Sequence, residues 1–255
     1  MVGSALADHL AAQRISVIST TRRADRVSPS RPFLDLEQAI ANAYWPNLPE
    51  TDVWIFCAAI TKLEQCRMDP EAARQINVEA PSSMIDAMLS ANAHCVFLSS
   101  NQVFDGEAVM PGTGAPISPK SVYGKQKVEA ESHLMASGKR IAIVRITKIL
   151  HAGWELIVQW CEALQRGDKI VAFADQVFAP VAITSINTFL ANLVTEKQVG
   201  TFHLSGPYDI SYYDAARHLA KRLNASAAQV QRGWASEAGI PPEECPLHTA
   251  LDVGD

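Results

Sequence analysis

Three short apolar runs constrain the fold of this chain more than any other feature. They lie within Asp52–Thr61, Cys95–Leu98 and Arg140–Thr147, and each is bounded by polar or turn residues. A continuous apolar run of this length is typical of a strand that is covered on both faces. Segments with helical periodicity separate the runs. Strands that alternate with helices in this way predict a doubly wound parallel α/β sheet with right-handed crossovers.

The segments around these runs fit the same scheme. Apolar residues at helical spacing predict helices over Met1–Gln13 and over residues 151–168. Further strands are predicted at Ile15–Thr21 and Gly200–Gly206, and Ser211 stands where a residue would cap the next helix. These elements extend the alternation of strand and helix over most of the chain.

Composition limits the classes of protein to consider. The 255 residues can bury a large core and suggest one domain with a smaller lobe. With 48% apolar and 19% charged residues and a net charge of -5, the chain is typical of soluble globular proteins, and nucleic acid is not an expected partner. No apolar run approaches the ~20 residues of a membrane span. The five cysteines lack paired metal-binding spacing, which predicts free thiols in a reducing cytoplasm and no metal site.

Ser99 and Ser100 follow the Cys95–Leu98 run, and Tyr123 and Lys127 lie at positions i and i+4 of a predicted helix. An ammonium group one turn from a phenol favours the phenolate, so the pKa of Tyr123 is predicted to fall from about 10 toward neutrality. A nearby serine hydroxyl can hold the substrate oxygen that receives or loses the proton. Taken alone, the Tyr-Lys spacing also occurs by chance on many amphipathic helices.

A second helix carries a candidate support for this site. Asp69 precedes Pro70, which is the arrangement of a capping residue and a first-turn proline. Asn77 follows on the same predicted helix. It is either an exposed polar residue or a group that supports the active-site strand.

The motif Leu98-Ser-Ser-Asn-Gln-Val-Phe-Asp-Gly106, followed by Tyr123-Gly-Lys-Gln-Lys127, resembles the extended short-chain dehydrogenase/reductase superfamily. Within it, the chain is most similar to the dTDP-4-dehydrorhamnose reductase family. This resemblance implies that the catalytic residues are Ser100, Tyr123 and Lys127. It also implies a set of substrate-binding residues, namely Asn101, Gln102, Val103, Phe104 and, in a later Asp-Gln-x-x-x-Pro loop, Gln176.

The same resemblance implies residues that bind a dinucleotide cofactor, namely Gly3, Arg22, Arg23, Asp35, Ala58, Ala59, Thr61, Ser99, Tyr123 and Lys127. In dinucleotide-binding folds, an acid after the second strand selects the ribose 2′-hydroxyl, whereas an arginine accommodates a 2′-phosphate. Arg22 and Arg23 occupy this place. NADPH is therefore the expected cofactor, with NADH as the alternative, although paired arginines after a strand are equally often a plain solvated loop.

The N-terminal segment departs from the family pattern. Gly3 resembles the last glycine of a Gly-x-x-Gly-x-x-Gly turn, but the earlier glycines and the first strand are absent from the sequence. Because those glycines let the backbone approach a pyrophosphate, we expect this chain by itself to bind NADPH weakly. Two explanations stay open: a start upstream of Met1, or a naturally shortened chain.

The expected organisation has two parts. Residues 1–148 form the dinucleotide-binding domain, to which residues 181–206 return. Residues 149–180 and 207–255 form a smaller substrate-binding lobe. The resemblance implies this division, and it leaves a homodimer open.

The first hypothesis for function is an NADPH-dependent reductase of a 4-keto sugar linked to a nucleotide, located in the cytoplasm. Tyr123 would donate the proton, Lys127 would tune it, and Ser100 would orient the carbonyl. One alternative is an NAD-dependent sugar-nucleotide epimerase or dehydratase. Another is a non-catalytic nucleotide-binding or regulatory subunit, like the regulatory subunit of methionine adenosyltransferase, which Cys245 in place of a family arginine favours.

Overall fold

The structure is a computed structural model that describes residues 1–41, 50–137 and 140–254. Its central sheet has four parallel strands in the order β1-β2-β3-β8. These strands are Val53–Phe56 (β1), His94–Ser100 (β2), Ile141–Ile146 (β3) and Gly200–Leu204 (β8). The predicted parallel α/β fold is confirmed.

Helices precede, connect and follow the strands of this sheet. Their bounds are Val2–Ala12 (α1), Leu36–Ala41 (α2), Leu63–Met68 (α3), Pro70–Arg74 (α4), Ala80–Ser90 (α5), Val122–Ser137 (α6), Glu155–Arg166 (α7), Ile183–Glu196 (α8) and Tyr212–Arg222 (α9). A π-helical turn, Gln75–Glu79, joins α4 to α5. Asp69 caps α4 by accepting a hydrogen bond from the Ala72 amide, and Ser211 caps α9 in the same way, as predicted. Among the helices in the described part of the chain, none is long and apolar enough to cross a membrane.

Alternate residues of β2 enter separate core clusters, so the sheet is covered on both faces. Val96 packs with residues of α1 and α8, whereas Cys95 and Phe97 pack with residues of α5 and α6. This alternation follows from the period of two along a strand. Covered on both faces, the strand must be apolar along its whole length, which is why it appears in the sequence as a continuous run.

A third core cluster lies away from the central sheet, between α7 and α9. Beside it are short two-stranded ladders, formed by Lys148–Leu150 (β4) with Pro180–Ala182 (β7), Ile170–Phe173 (β5) with Val230–Gly233 (β10), and Val177–Phe178 (β6) with Ile210–Ser211 (β9). These elements come mainly from the segments assigned to the smaller lobe. The exact division into two parts stays a prediction.

Ile15–Thr21 is not a regular strand, contrary to the sequence prediction. Its only ladder contact in the described residues is an isolated parallel bridge between Thr21 and Phe33. The amide of Ser19 donates to the carbonyl of Ser30, which belongs to an irregular segment. Without a regular neighbour, an apolar run cannot complete the hydrogen bonds that define a strand.

Two other predicted elements are shorter than expected. The strand within Asp52–Thr61 is only Val53–Phe56, because the chain leaves the sheet before its small residues. The helix predicted over residues 151–168 begins at Glu155 and ends at Arg166. Gly167 follows it with a φ of 86°, a left-handed conformation that suits glycine and ends the helix.

Candidate active site

The catalytic candidates meet where β2 ends and α6 begins. Ser121 precedes α6, and its hydroxyl accepts a hydrogen bond from the Gly124 amide at 3.0 Å. A Cβ atom at Gly124 would lie 2.1 Å from the carbonyl oxygen of Gln102, in the turn that follows β2. Glycine at this position therefore lets the first turn of α6 sit directly against the strand end.

Tyr123 is buried, with only 7% of its surface exposed, and it packs with Cys66 and Ala73. Burial raises the pKa of Tyr123 well above its usual value, the neighbouring Cys66 adds to the increase, and a hydrogen bond with Ser100 partly opposes it. The predicted fall of this pKa toward neutrality is therefore wrong for the protein without ligands. The desolvation of a phenolate outweighs the attraction of the nearby lysine. Tyr123 is a protonated phenol at neutral pH.

Lys127 is almost fully buried and lies on the same side of α6 as Tyr123, as its spacing predicts. Its ammonium donates to the carbonyl oxygen of Leu98 at 2.9 Å. It also lies 4.4 Å from the ring centre of Phe97 and 5.7 Å from that of Tyr123. Burial lowers the pKa of Lys127 to about 8, and the charge of Glu131 opposes this change. The ammonium is thus charged at neutral pH but easily deprotonated.

The two serines at the end of β2 have different surroundings. The hydroxyl of Ser100 accepts a hydrogen bond from the Gln102 amide at 3.2 Å and approaches the Asn101 side-chain oxygen at 3.3 Å. The hydroxyl of Ser99 donates to Glu131 in the interior. Consecutive residues of a strand point to opposite faces, so Ser99 cannot share the position of Ser100. The Ser99 hydroxyl thus serves the protein interior in this structure, and a cofactor contact by Ser99 stays a prediction.

Glu131 and Arg145 form a buried ion pair behind the catalytic candidates. The side-chain exposures are 0% for Glu131 and 3% for Arg145, and their closest approach is 2.7 Å. Arg145 also donates to the carbonyl oxygen of Thr113, and its guanidinium stacks 5.2 Å from the ring centre of Phe104. The pair joins α6 to β3 and to the loop before α6.

Asn77 is completely buried, so its interpretation as an exposed polar residue is wrong, and its support of the active-site strand stays a prediction. Its side chain accepts from the Ile60 amide at 2.9 Å and donates to the Ile60 carbonyl at 3.0 Å. It also donates to Gln126 at 2.9 Å, and Gln126 donates to the carbonyl of Pro70. Asn77 lies in the π-helical turn, a distortion often found at functional sites. The network joins α6 to the segment that follows β1.

The predicted substrate-binding residues separate into two groups. Asn101 donates to the carbonyl of Thr249, and Gln102 accepts from the Ser121 hydroxyl, so both lie beside Ser100. Val103 and Phe104 are buried in a cluster with Leu251. Both side chains pack against the C-terminal segment, and a substrate contact by Val103 or Phe104 stays a prediction.

Gln176 lies farther along the chain, in the loop between β5 and β6. Its side chain donates to the carbonyl of Glu244 at 3.3 Å, and its own carbonyl accepts from the Tyr212 amide. It is half-buried. A substrate contact by Gln176 stays a prediction.

The small residues predicted to bind the cofactor lie at the carboxyl end of β1. Ala58 and Thr61 are exposed there and Ala59 is half-buried. Gly3, near the start of α1, lies against this end, since a Cβ atom on it would be 3.5 Å from that of Cys57. These side chains leave space above the sheet edge at which Ser100 and Tyr123 also meet.

The more distant cofactor candidates are on the surface. Arg23 forms an ion pair with Asp25 at 2.8 Å. Its guanidinium is therefore already in contact with an acid two residues later in the chain. Arg22 is exposed and is the better candidate for a 2′-phosphate. Asp35 accepts from the Glu37 amide at 3.0 Å at the start of α2, which gives it a structural role beside the predicted adenine contact.

The sequence matches the family described as RmlD substrate binding domain over residues 1–253. The chain belongs to this family. The dTDP-4-dehydrorhamnose reductase of Mycolicibacterium smegmatis is 26% identical over 98% of this chain and 75% of the relative. The methionine adenosyltransferase 2 subunit beta of Bos taurus is 25% identical over 70% of this chain and 57% of the relative.

A solved structure has the same fold as this protein. The dTDP-4-dehydrorhamnose reductase from Bacillus anthracis in complex with NADP has a TM-score of 0.75 and 19% identity, over 90% of this chain and 85% of the solved one. The family resemblance that the sequence motifs suggested is confirmed.

Two polar residues near the site were not predicted from the sequence. Gln126 lies between Tyr123 and Glu131 on α6, and nothing in the sequence distinguishes it from a surface glutamine. Lys148 follows the apolar run of β3 and has no motif of its own. Only the packing of α6 against Pro70, and of β4 beside α7, reveals their surroundings.

Proposed function

We propose that this protein is an NADPH-dependent reductase of a nucleotide-linked 4-keto sugar, with NADH as a weaker substitute. The observation that supports it best is the buried Tyr123 phenol, which lies beside Ser100 and one helical turn from the ammonium of Lys127. A relative named dTDP-4-dehydrorhamnose reductase, and the NADP complex of a structural neighbour, support the same substrate class and cofactor.

The described residues fit a nicotinamide cofactor. Small and accessible side chains follow β1, and the buried ammonium of Lys127 uses one carbonyl acceptor, so further N–H groups are available to a ligand. NADPH, when bound, supplies the hydride to the carbonyl carbon. Ala58, Ala59 and Thr61 would border it, and Lys127 would hold a hydroxyl of its ribose.

The side chains of the protein supply the proton for this reduction. Tyr123 keeps its proton at neutral pH because burial raises its pKa, so the phenol can donate to the oxygen as that oxygen becomes negative. Ser100 orients the same carbonyl oxygen by hydrogen bonding. The charge of Lys127 stabilises the phenolate that remains after transfer. The burial of all three residues strengthens these interactions by excluding water.

The test is loss of NADPH absorbance in the presence of dTDP-4-dehydrorhamnose. Replacing Tyr123 by phenylalanine removes the transferable proton and leaves the ring, so turnover should fall at least about a hundred-fold with little change in melting temperature. Tyr208→Phe is the matched control, because Tyr208 is 65% exposed. Wild-type activity in Tyr123→Phe would show that the catalytic assignment is wrong.

The similarity to a methionine adenosyltransferase beta subunit supports a second candidate, a non-catalytic binding subunit. In that case the wild-type chain would bind a nucleotide without consuming NADPH, and Tyr123→Phe would bind it equally well. The retained Ser100, Tyr123 and Lys127 favour the enzyme, since a binding subunit has less need of a buried proton donor.

A further inference from the structure

Lys148 is a cation to which the described residues offer no anionic partner. Its ammonium lies 4.9 Å from the ring centre of Trp154, a distance at which the face of an indole attracts a cation. Among the described carboxylates, none forms an ion pair with it. The backbone of Lys148 belongs to β4, where it pairs with Pro180.

The position of Lys148 connects the catalytic residues with the predicted substrate lobe. In the central sheet, Ser100 pairs with Ile146, and Lys148 follows two residues later. On its other side, Trp154 packs edge-to-face on Phe178 with ring centres 5.4 Å apart. Phe178 belongs to β6, directly after Gln176 and Val177. Lys148 is thus linked by strand register to Ser100 and by the Trp154–Phe178 contact to the segment that holds Gln176.

Lys148 is exposed to solvent just after the carboxyl end of β3. Loss of hydration lowers the pKa of its ammonium. The neighbouring Thr147 is 5% exposed, and its hydroxyl, which has no hydrogen-bond partner in the described part of the chain, is enclosed by protein. The polar group that a ligand can reach here is therefore the Lys148 ammonium.

We propose that Lys148 is a substrate-binding residue that recognises an anionic oxygen group of the nucleotide-sugar, with Trp154 holding its side chain in place. The group is either the diphosphate or a carboxylate on the sugar. A poorly hydrated ammonium without an ion pair gains more from such a group than a solvated lysine would. The inference rests on the proposed function, because it assumes a nucleotide-sugar between Ser100 and Gln176.

Calorimetric titration of the full chain can test this without any turnover. The ligands are dTDP, UDP-glucose and UDP-glucuronic acid, and the variants are Lys148→Gln, Lys148→Arg and Trp154→Leu. Lys169→Gln serves as the matched control, because Lys169 is an exposed lysine immediately before β5. We expect Lys148→Gln to weaken binding about ten-fold or more and to reduce its salt dependence, while Lys148→Arg and Lys169→Gln stay within about three-fold of wild type.

The three ligands distinguish the source of the anion. An equal loss for all of them assigns Lys148 to the diphosphate, whereas a loss confined to UDP-glucuronic acid assigns it to a sugar carboxylate. Wild-type affinity of Lys148→Gln for every ligand that the wild-type chain binds would overturn the inference and leave the proposed function intact. If the wild-type chain bound none of the three, the proposed substrate class would fail together with the inference.

Discussion

At the scale of single residues, the buried charge of Lys127 lowers the stability of the folded protein at neutral pH. The pKa of Lys127 falls from an ordinary 10.5 to about 8, which corresponds to ~3 kcal/mol at most for a buried charge. Because the unfolded chain binds more protons between these pH values, stability should rise with pH from about 8 toward 10. At pH 7 the cost of the buried charge is fully present.

Lys127→Met should therefore unfold at a higher temperature than wild type at pH 7 and lose reductase activity. The difference in stability should shrink as the pH approaches 10, since wild-type Lys127 is then neutral in the folded state. Thermal denaturation at several pH values measures this. Lys125→Met is the control, because Lys125 is exposed on the same helix. A stability difference that does not change with pH would contradict the role given to the charge.

At the scale of elements, the contact between α6 and the turn after β2 depends on Gly124. A Cβ atom there would meet the Gln102 carbonyl at 2.1 Å, whereas one at Gly114 would meet nothing within 4 Å. Gly124→Ala should thus cost about 1 to 3 kcal/mol of unfolding free energy and displace Tyr123 from Ser100, although alanine normally favours a helix. Gly114→Ala should be close to neutral. Urea denaturation and turnover measurements on both variants test this. Equal unfolding free energies and equal turnover of the two variants would contradict the close packing at Gly124.

At the scale of the whole molecule, the Glu131–Arg145 pair joins α6, β3 and the loop at Thr113. Arg145→Met should cost about 3 to 5 kcal/mol, because it leaves a buried carboxylate without its partner. The exposed Arg166–Asp168 pair is the control, and Arg166→Met should change stability by less than about 1 kcal/mol. Denaturant titrations measure both.

Removing both charges separates these effects. The double variant Arg145→Met/Glu131→Leu should recover part of the stability, since neither partner is then left as an unpaired charge. If the double variant were less stable than Arg145→Met alone, the buried charge would not be the cause of the loss.

The sequence by itself determined the central strands, the family and the candidate set of Ser100, Tyr123 and Lys127, whose catalytic roles are proposed. Strands covered on both faces must be apolar throughout, and the i, i+4 spacing of Tyr123 and Lys127 is local, so both features are visible in one dimension. Asp69 and Ser211 could be predicted as helix caps for the same reason, because a cap bonds to residues that follow it closely in the chain.

Tertiary structure alone decided the pKa values of the buried groups and the partners that the side chains around β2 contact. The pKa of Tyr123 depends on how much water the surrounding helices exclude, and no local spacing encodes that amount. Ser99 faces Glu131 and Phe104 faces Arg145 because distant segments pack on the two sides of β2. Ile15–Thr21 is apolar enough for a strand, yet a strand requires a hydrogen-bonded neighbour, which only the folded chain can provide or withhold.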